Sequence, residues 1–329
     1  MRFSLFQTTL TSFLLALLIA LATSCGGSGV DPMQPWEPFS DFISFFPGDL
    51  HWIPDLQPDR IQVQEDYWIR AADNMGLHAV LHRPVDSSPS RRYPGLLLVP
   101  GGLMPGASWH ATWRKSNAWN FVDAGLIVLI YDARGRGWSG GEEDFDGPVQ
   151  QDDLATVIEW LNARDDVLPG GIGVASSSWG ITVAAGAVSR HPDLPARFLV
   201  DLEGAGDRFE MTQWDDPKWV EIMRGHSTSD DEFWKDREAI RFVGGIACPY
   251  FRLQSSCDHA FDRFYVDHAI NMVNGAVNGE SPYVRLNDMP PNRTYDLARA
   301  QDYHWFPVGD TDETFYYAVL GAFCTTTHL

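Results

Sequence analysis

Basic residues are scarce in this sequence. Twenty-four Lys and Arg stand against 44 Asp and Glu, a formal charge of −20. A surface of that sign repels phosphate backbones, and no basic patch with interleaved aromatics interrupts it, so nucleic acid is not an expected partner. Cysteine is scarce too, with four in 329 residues and no C-x-x-C spacing, so no metal site is expected. No cofactor is implied. Long apolar runs are also lacking. The N-terminal one, Phe13 to Ala22, falls short of the about 20 residues that a spanning helix needs. Low-complexity bias is absent, since the 29 Gly and 21 Pro suit a loop-bearing globular enzyme.

What is present is enough apolar residue, 44% of the chain, for one large core or a core with an inserted cap. The 13 Trp are scattered along the chain and read as core and loop packing rather than as a cleft for sugars or aromatic groups.

Residues 1–25, MRFSLFQTTLTSFLLALLIALATSC, have the layout of an export signal: Arg2 as the charged start, then the apolar run. The end, Ala22-Thr23-Ser24-Cys25 before Gly26-Gly27-Ser28-Gly29, resembles a bacterial lipobox, with Ala22 where Leu is usual. That resemblance implies lipidation of Cys25, and Gly26 after it implies the outer membrane. Ordinary cleavage after Ala20-Leu21-Ala22 is the rival and implies a periplasmic or secreted protein. The flexible Gly/Ser tether directly after Cys25 favours the lipoprotein. Membrane contact is expected only through this anchor. Without Cys25 the cysteines are odd in number: Cys248, Cys257 and Cys324. Cys248 and Cys257 flank an expected strand of nine residues, about 30 Å when extended and beyond disulfide reach. Cys257 with Cys324 remains conceivable.

After a Pro-, Trp- and Phe-rich arm that completes residues 26–60, strands alternate with helices over 61–329. The segments 61–71 and 77–84 bracket a turn and make a hairpin. YPGLLLVPGG and LIVLIYDARG hold apolar runs of strands buried on both faces. The stretch 112–125 reads as a helix stopped by Gly125, and PVQQDDLATVIEWLNAR as a helix opened by Pro148 with Leu154, Val157, Ile158 and Leu161 at helical spacing. GGIGVAS, ARFLVDLEG, CPYFRLQSS and SPYVRL are further strands; ITVAAGAVSR and TDETFYYAVLGAF are further helices. This pattern predicts an α/β fold, a mostly parallel sheet with helices on both faces. An excursion at about 205–245 reads as two or three helices, and either a cap over a site or a plain surface insertion suits it.

GVASSSWGIT, residues 173–182, places three serines between a strand and a helix. A turn tight enough to expose a nucleophilic oxygen needs small residues two before and two after it. Ser176 has Val174 before it, and Ser177 has Trp179 after it. Ser178 alone has small neighbours on both sides, Ser176 and Gly180, which selects it over a mere helix cap.

The stretch YDARGRGWSGGEED, the helix ending in Glu159-Trp160-Leu161, the elbow GVASSSWGIT and DDEFWKDREAIRFVGGIACPYF together resemble the α/β-hydrolase superfamily. More narrowly they resemble hydrolases of the X-prolyl dipeptidyl-peptidase and cocaine-esterase type, with dienelactone-hydrolase-like and acyl-esterase relatives equally compatible. The resemblance covers about residues 60–325 and implies an eight-stranded sheet with a small helical cap. Trp179 stands where that family usually has Tyr, and no large C-terminal β-domain is recognisable, so exopeptidase specificity is not carried over.

The resemblance implies the chain order Ser, acid, His. The acid then follows the strand after the cap, at Asp258, with Glu203 as the alternative because some relatives place it there. The base follows the last strand, where His304 in QDYHWFP is chosen over His328, and His259 is expected to point elsewhere. The oxyanion hole is expected from the backbone N–H of Trp179 and of Gly102, with Leu103 also open. The function these imply is a serine hydrolase that cleaves carboxylic esters, or amides, through an acyl-enzyme on a small-molecule acyl substrate. The alternative is a surface-anchored binding protein on an inactivated hydrolase fold.

Overall fold

A computed structural model describes residues 61–260, 264–307 and 311–326. The signal-like segment, Cys25 and the arm up to residue 60 lie outside the described residues. Eight strands form one sheet: β1 (Gln62–Arg70), β2 (Gly76–Pro84), β3 (Gly95–Val99), β4 (Ile127–Tyr131), β5 (Ile172–Ser177), β6 (Ala196–Leu202), β7 (Tyr250–Leu253) and β8 (Val284–Leu286). Their order is β1-β2-β4-β3-β5-β6-β7-β8. β1 with β2 and β2 with β4 are antiparallel, and every other neighbouring pair is parallel.

β3 and β4 are buried along their whole length because each face of the sheet carries helices. Strand alternation divides the core in two. Leu97, Leu129 and Val174 pack with Leu154, Val157 and Ile158 of α2 (Pro148–Asn162) and with Ile181 and Val183 of α3 (Gly180–Arg190). Leu96, Leu98, Val128 and Ile130 point the other way, onto Phe121 and Val122 of α1 (Ala118–Asp123) and Phe315 and Val319 of the last helix, Thr311–Thr325. Each such side chain taken fully from water contributes about 1.5–3 kcal/mol.

The helix expected over 112–125 is shorter in the structure, because Asn117 caps α1 by accepting the Asn120 N–H at 3.0 Å. The excursion between β6 and β7 holds four short helices rather than two or three: α4 (Arg208–Met211), α5 (Pro217–Ile222), α6 (Asp231–Trp234) and α7 (Ala239–Phe242). Each of the first three starts at an Asp whose side chain caps it, Asp207, Asp216 and Asp230. A separate apolar cluster joins Met211, Met223 and Trp234 of this segment to Phe145 and Trp179. Trp219 meets Trp179 edge to face at 5.6 Å. The segment therefore packs against the residue that follows Ser178. After β7 comes α8 (Asp267–Asn278), which the sequence patterns did not single out, and the helix Thr311–Thr325 is α9. Cys248 and Cys324 are free and buried, so the conceivable Cys257–Cys324 bridge is not formed.

Candidate active site

β3, β5, β6 and β7 run parallel, so their carboxyl ends deliver four loops to one edge of the sheet. Ser178 follows β5 and has φ of 52°, a left-handed conformation that L side chains rarely adopt. Its backbone N–H donates to the Leu202 carbonyl of β6 at 2.9 Å, which fixes the turn. The small neighbours have a steric origin. A Cβ on Gly180 would come within 2.6 Å of the Pro100 carbonyl oxygen, and one on Gly101 within 2.7 Å of Ser178 Cβ. Ser176 is fully buried and its hydroxyl donates to the Val200 carbonyl at 3.3 Å.

The histidine that meets Ser178 is His259. Its Nε2 lies 2.9 Å from Ser178 Oγ. Its Nδ1 lies 2.8 Å from Glu203 Oε2. Glu203 ends β6 with φ of 48°, and its other oxygen accepts the Ser255 N–H at 3.1 Å and the Ser255 hydroxyl. Three strand ends in succession, β5, β6 and β7, thus supply Ser178, Glu203 and His259. Neighbouring strands are about 4.8 Å apart, a spacing that side chains of this length can bridge.

This geometry corrects the expected pairing of Asp258 with His304. His304 is about half exposed, and its Nδ1 binds Asp288 at 2.9 Å. The last loop does return towards the site, since Ser256 N–H donates to the Phe306 carbonyl at 2.9 Å, but the His304 ring is committed to Asp288. His259, expected to point elsewhere, is brought to Ser178 by the tight turn after β7, whose Ser255 is tied to Glu203. Asp258 is buried next to it, with Oδ1 at 3.5 Å from His259 Nδ1. A sequence signal existed: Glu203 and His259 each stand just beyond a strand, in the order Ser, acid, His, one strand earlier than the positions expected from the resemblance.

Electrostatics make the site distinctive. Burial would lower the proton affinity of His259, but the Asp258 charge and the Glu203 hydrogen bond more than offset it and raise its pKa to about 9. Asp258 itself is held well below the usual carboxylate range: burial opposes ionisation, and the His259 charge and a hydrogen bond from His268 overcome it. Glu203, Asp258 and His259 also bring potential metal-binding atoms within 4.8 Å of one another. Both imidazole nitrogens are already committed, one to a hydroxyl and one to a carboxylate, an arrangement suited to proton transfer.

Gly102, in the loop after β3, has φ of 55°. Trp179 caps α3 at its N-terminus. Among the described residues neither the Gly102 nor the Trp179 N–H donates to a protein acceptor. The Gly102 peptide is anchored from behind: Arg136 donates to its carbonyl at 3.0 Å. Arg136 is itself clamped by Glu143 at 2.7 and 2.8 Å and by Asp146 at 2.8 Å. The stretch DARGRGWSGG is therefore a brace for the site. Its Asp132 accepts the N–H groups of Gly106 and Trp138, both at 2.8 Å, and Arg136 reaches forward to the loop.

Comparison with known proteins agrees with this fold. Residues 73–210 match the family model of X-Pro dipeptidyl-peptidase (S15 family). No curated protein matches the sequence. Among solved structures, a putative dipeptidyl aminopeptidase IV from Bacteroides ovatus is similar with a TM-score of 0.58 and 15% identity, over 82% of this chain and 36% of that one. An esterase from Pyrococcus furiosus is similar with a TM-score of 0.53 and 18% identity, over 78% of this chain and 91% of that one. A puromycin-hydrolyzing peptidase from Mycobacterium tuberculosis is similar with a TM-score of 0.59 and 13% identity, over 83% and 41%. The chain spans little more than a third of the length of the dipeptidyl peptidases. Sheet order, the strained serine turn and the similar solved structures together give this chain the α/β-hydrolase fold, and its residues 73–210 resemble the S15 peptidase family.

Proposed function

We propose that the protein hydrolyses carboxylic esters of small acyl substrates through an acyl-enzyme on Ser178. The observation that carries this reading is the continuous contact from Ser178 Oγ to His259 Nε2, 2.9 Å, and from His259 Nδ1 to Glu203, 2.8 Å. Ser178 Oγ attacks the carbonyl carbon while His259 Nε2 takes its proton. His259 then protonates the leaving oxygen. Water repeats the sequence on the acyl-enzyme, and Glu203 holds the imidazolium that forms at each stage. The oxyanion is received by the N–H groups of Trp179 and Gly102, which have no competing protein acceptor among the described residues. Esters are preferred to amides by analogy with the fold. Export, with Cys25 lipidated, is part of the proposal and rests on the residue pattern 1–29.

The test is a fluorophosphonate adduct read by intact mass, with the modified peptide sequenced. The adduct is expected on Ser178, to vanish in His259→Ala, and to persist in His304→Ala. Loss of labelling in His304→Ala with retention in His259→Ala would restore the pairing expected from the resemblance. No adduct on folded protein would favour the binding-protein alternative.

A further inference from the structure

Behind His259 lies a buried run of titratable groups that the proton transfers above do not use. Asp258 Oδ2 accepts from Gln254 at 3.0 Å and lies 3.2 Å from His268 Nε2, while Oδ1 accepts the Ala260 N–H at 2.7 Å. His268, on α8, is buried, stacks on Tyr265 with centroids 5.2 Å apart, and has Glu210 Oε1 3.8 Å from its Nδ1. Tyr265 donates to the same Glu210 oxygen at 3.1 Å. Two carboxylates thus converge on one imidazole nitrogen: Glu203 at 2.8 Å and Asp258 at 3.5 Å. One suffices to fix the tautomer and the ring plane. A second ionised carboxylate in a buried position is disfavoured by desolvation unless other groups hold it. Here His268 and Gln254 hold it.

We propose that Asp258, fixed by His268, is a second positioning carboxylate of the hydrolytic reaction, which acts through His259 and sets the pH range in which that base is free. The inference rests on Ser178 as nucleophile and His259 as base. The charged groups that face His259 are Glu203, Asp258 and, acting in the opposite sense, Arg114. Those around Asp258 are His259, His268 and Arg252 of β7. Those around His268 are Asp258, Glu210 and Asp207. With both carboxylates ionised, His259 keeps its proton until the pH approaches about 9, so activity climbs through neutral pH. Glu203 keeps the hydrogen bond when Asp258 is neutralised, but the larger of the two charge effects on His259 is gone.

The experiment is the pH profile of kcat/KM with p-nitrophenyl acetate, corrected for spontaneous hydrolysis, in the wild type, Asp258→Asn, His268→Gln and Glu203→Gln. Asp258→Asn is expected to move the acid limb down by about one pH unit or more, with a loss at the plateau smaller than about tenfold. His268→Gln should move the limb in the same direction by less. Glu203→Gln should lower the plateau by about a hundredfold or more, because a neutral amide no longer stabilises the imidazolium and its NH2 can hold the wrong tautomer. An acid limb that stays put in both Asp258→Asn and His268→Gln, with only the melting temperature reduced, would overturn the proposal and leave Asp258 a structural residue. Should Asp258→Asn not fold, His268→Gln carries the test alone, read by the same limb and by NMR titration of the His259 ring. Fluorophosphonate labelling separates the two levels. An adduct on Ser178 with unmoved limbs sinks only this inference, whereas no adduct at any pH sinks the reading beneath it.

Discussion

Glu203, the proposed acid, stands next to a buried ion pair, and breaking that pair should be costly in a calculable way. Asp201 and Arg252 lie on adjacent strands β6 and β7, and both side chains are completely buried. Asp201 Oδ2 accepts from Arg252 at 2.7 Å and from the Tyr250 hydroxyl at 2.7 Å, while Oδ1 accepts the Gly204 N–H at 3.1 Å. Arg252 also donates to the Gly204 carbonyl at 2.8 Å and to Gln254 at 2.5 Å. Asp201→Asn leaves a buried guanidinium without its counter-charge, and Arg252→Met leaves a buried carboxylate without its own. Each single change should cost about 3–5 kcal/mol at neutral pH. The double variant leaves neither charge of this pair unmatched and loses mainly the three hydrogen bonds of Arg252, about 0.5–1.5 kcal/mol each, so it should cost about 1.5–4.5 kcal/mol. The coupling energy is then about 1.5 kcal/mol or more, above the error of additivity. Urea unfolding followed by tryptophan fluorescence measures all four corners of the cycle. Because Gly204 directly follows Glu203, folded Asp201→Asn should also lose turnover. Single variants that cost under about 1 kcal/mol, or costs that simply add, would refute the view that this pair carries the turn on which Glu203 sits.

Two further outcomes follow from the loop after β3. Gly101→Ala places a Cβ 2.7 Å from both Ser177 O and Ser178 Cβ, so it should push the Gly102 loop off the nucleophile; steady-state kinetics should show kcat down about a hundredfold with fluorophosphonate labelling slowed in parallel. Arg136→Met removes the hydrogen bond to the Gly102 carbonyl and leaves Glu143 and Asp146 facing each other uncompensated, which should lower unfolding free energy by about 3–5 kcal/mol and kcat with it. Acidification should partly restore the stability of that variant, because two crowded carboxylates without their cation bind protons more readily in the fold than in the unfolded chain.

Local chemistry determined much of this protein. The alternation of apolar runs and helical spacings gave the mostly parallel sheet and its flanking helices, because burial on both faces leaves β3 and β4 no freedom to be polar. The size rule around a strained turn selected Ser178 from three serines, because that rule acts between residues two apart in the chain. The partners of Ser178 were only partly legible: Glu203 stood as the alternative acid, while His259 was set aside for His304. Whether a histidine reaches a hydroxyl more than 80 residues away depends on which strand ends meet at the sheet edge and on which carboxylate claims each ring. His304 lost its place to the Asp288 carboxylate beside it, and His259 gained one because Ser255 ties the turn after β7 to Glu203. Those choices are made by contacts distant in sequence, and only the folded sheet brings them together.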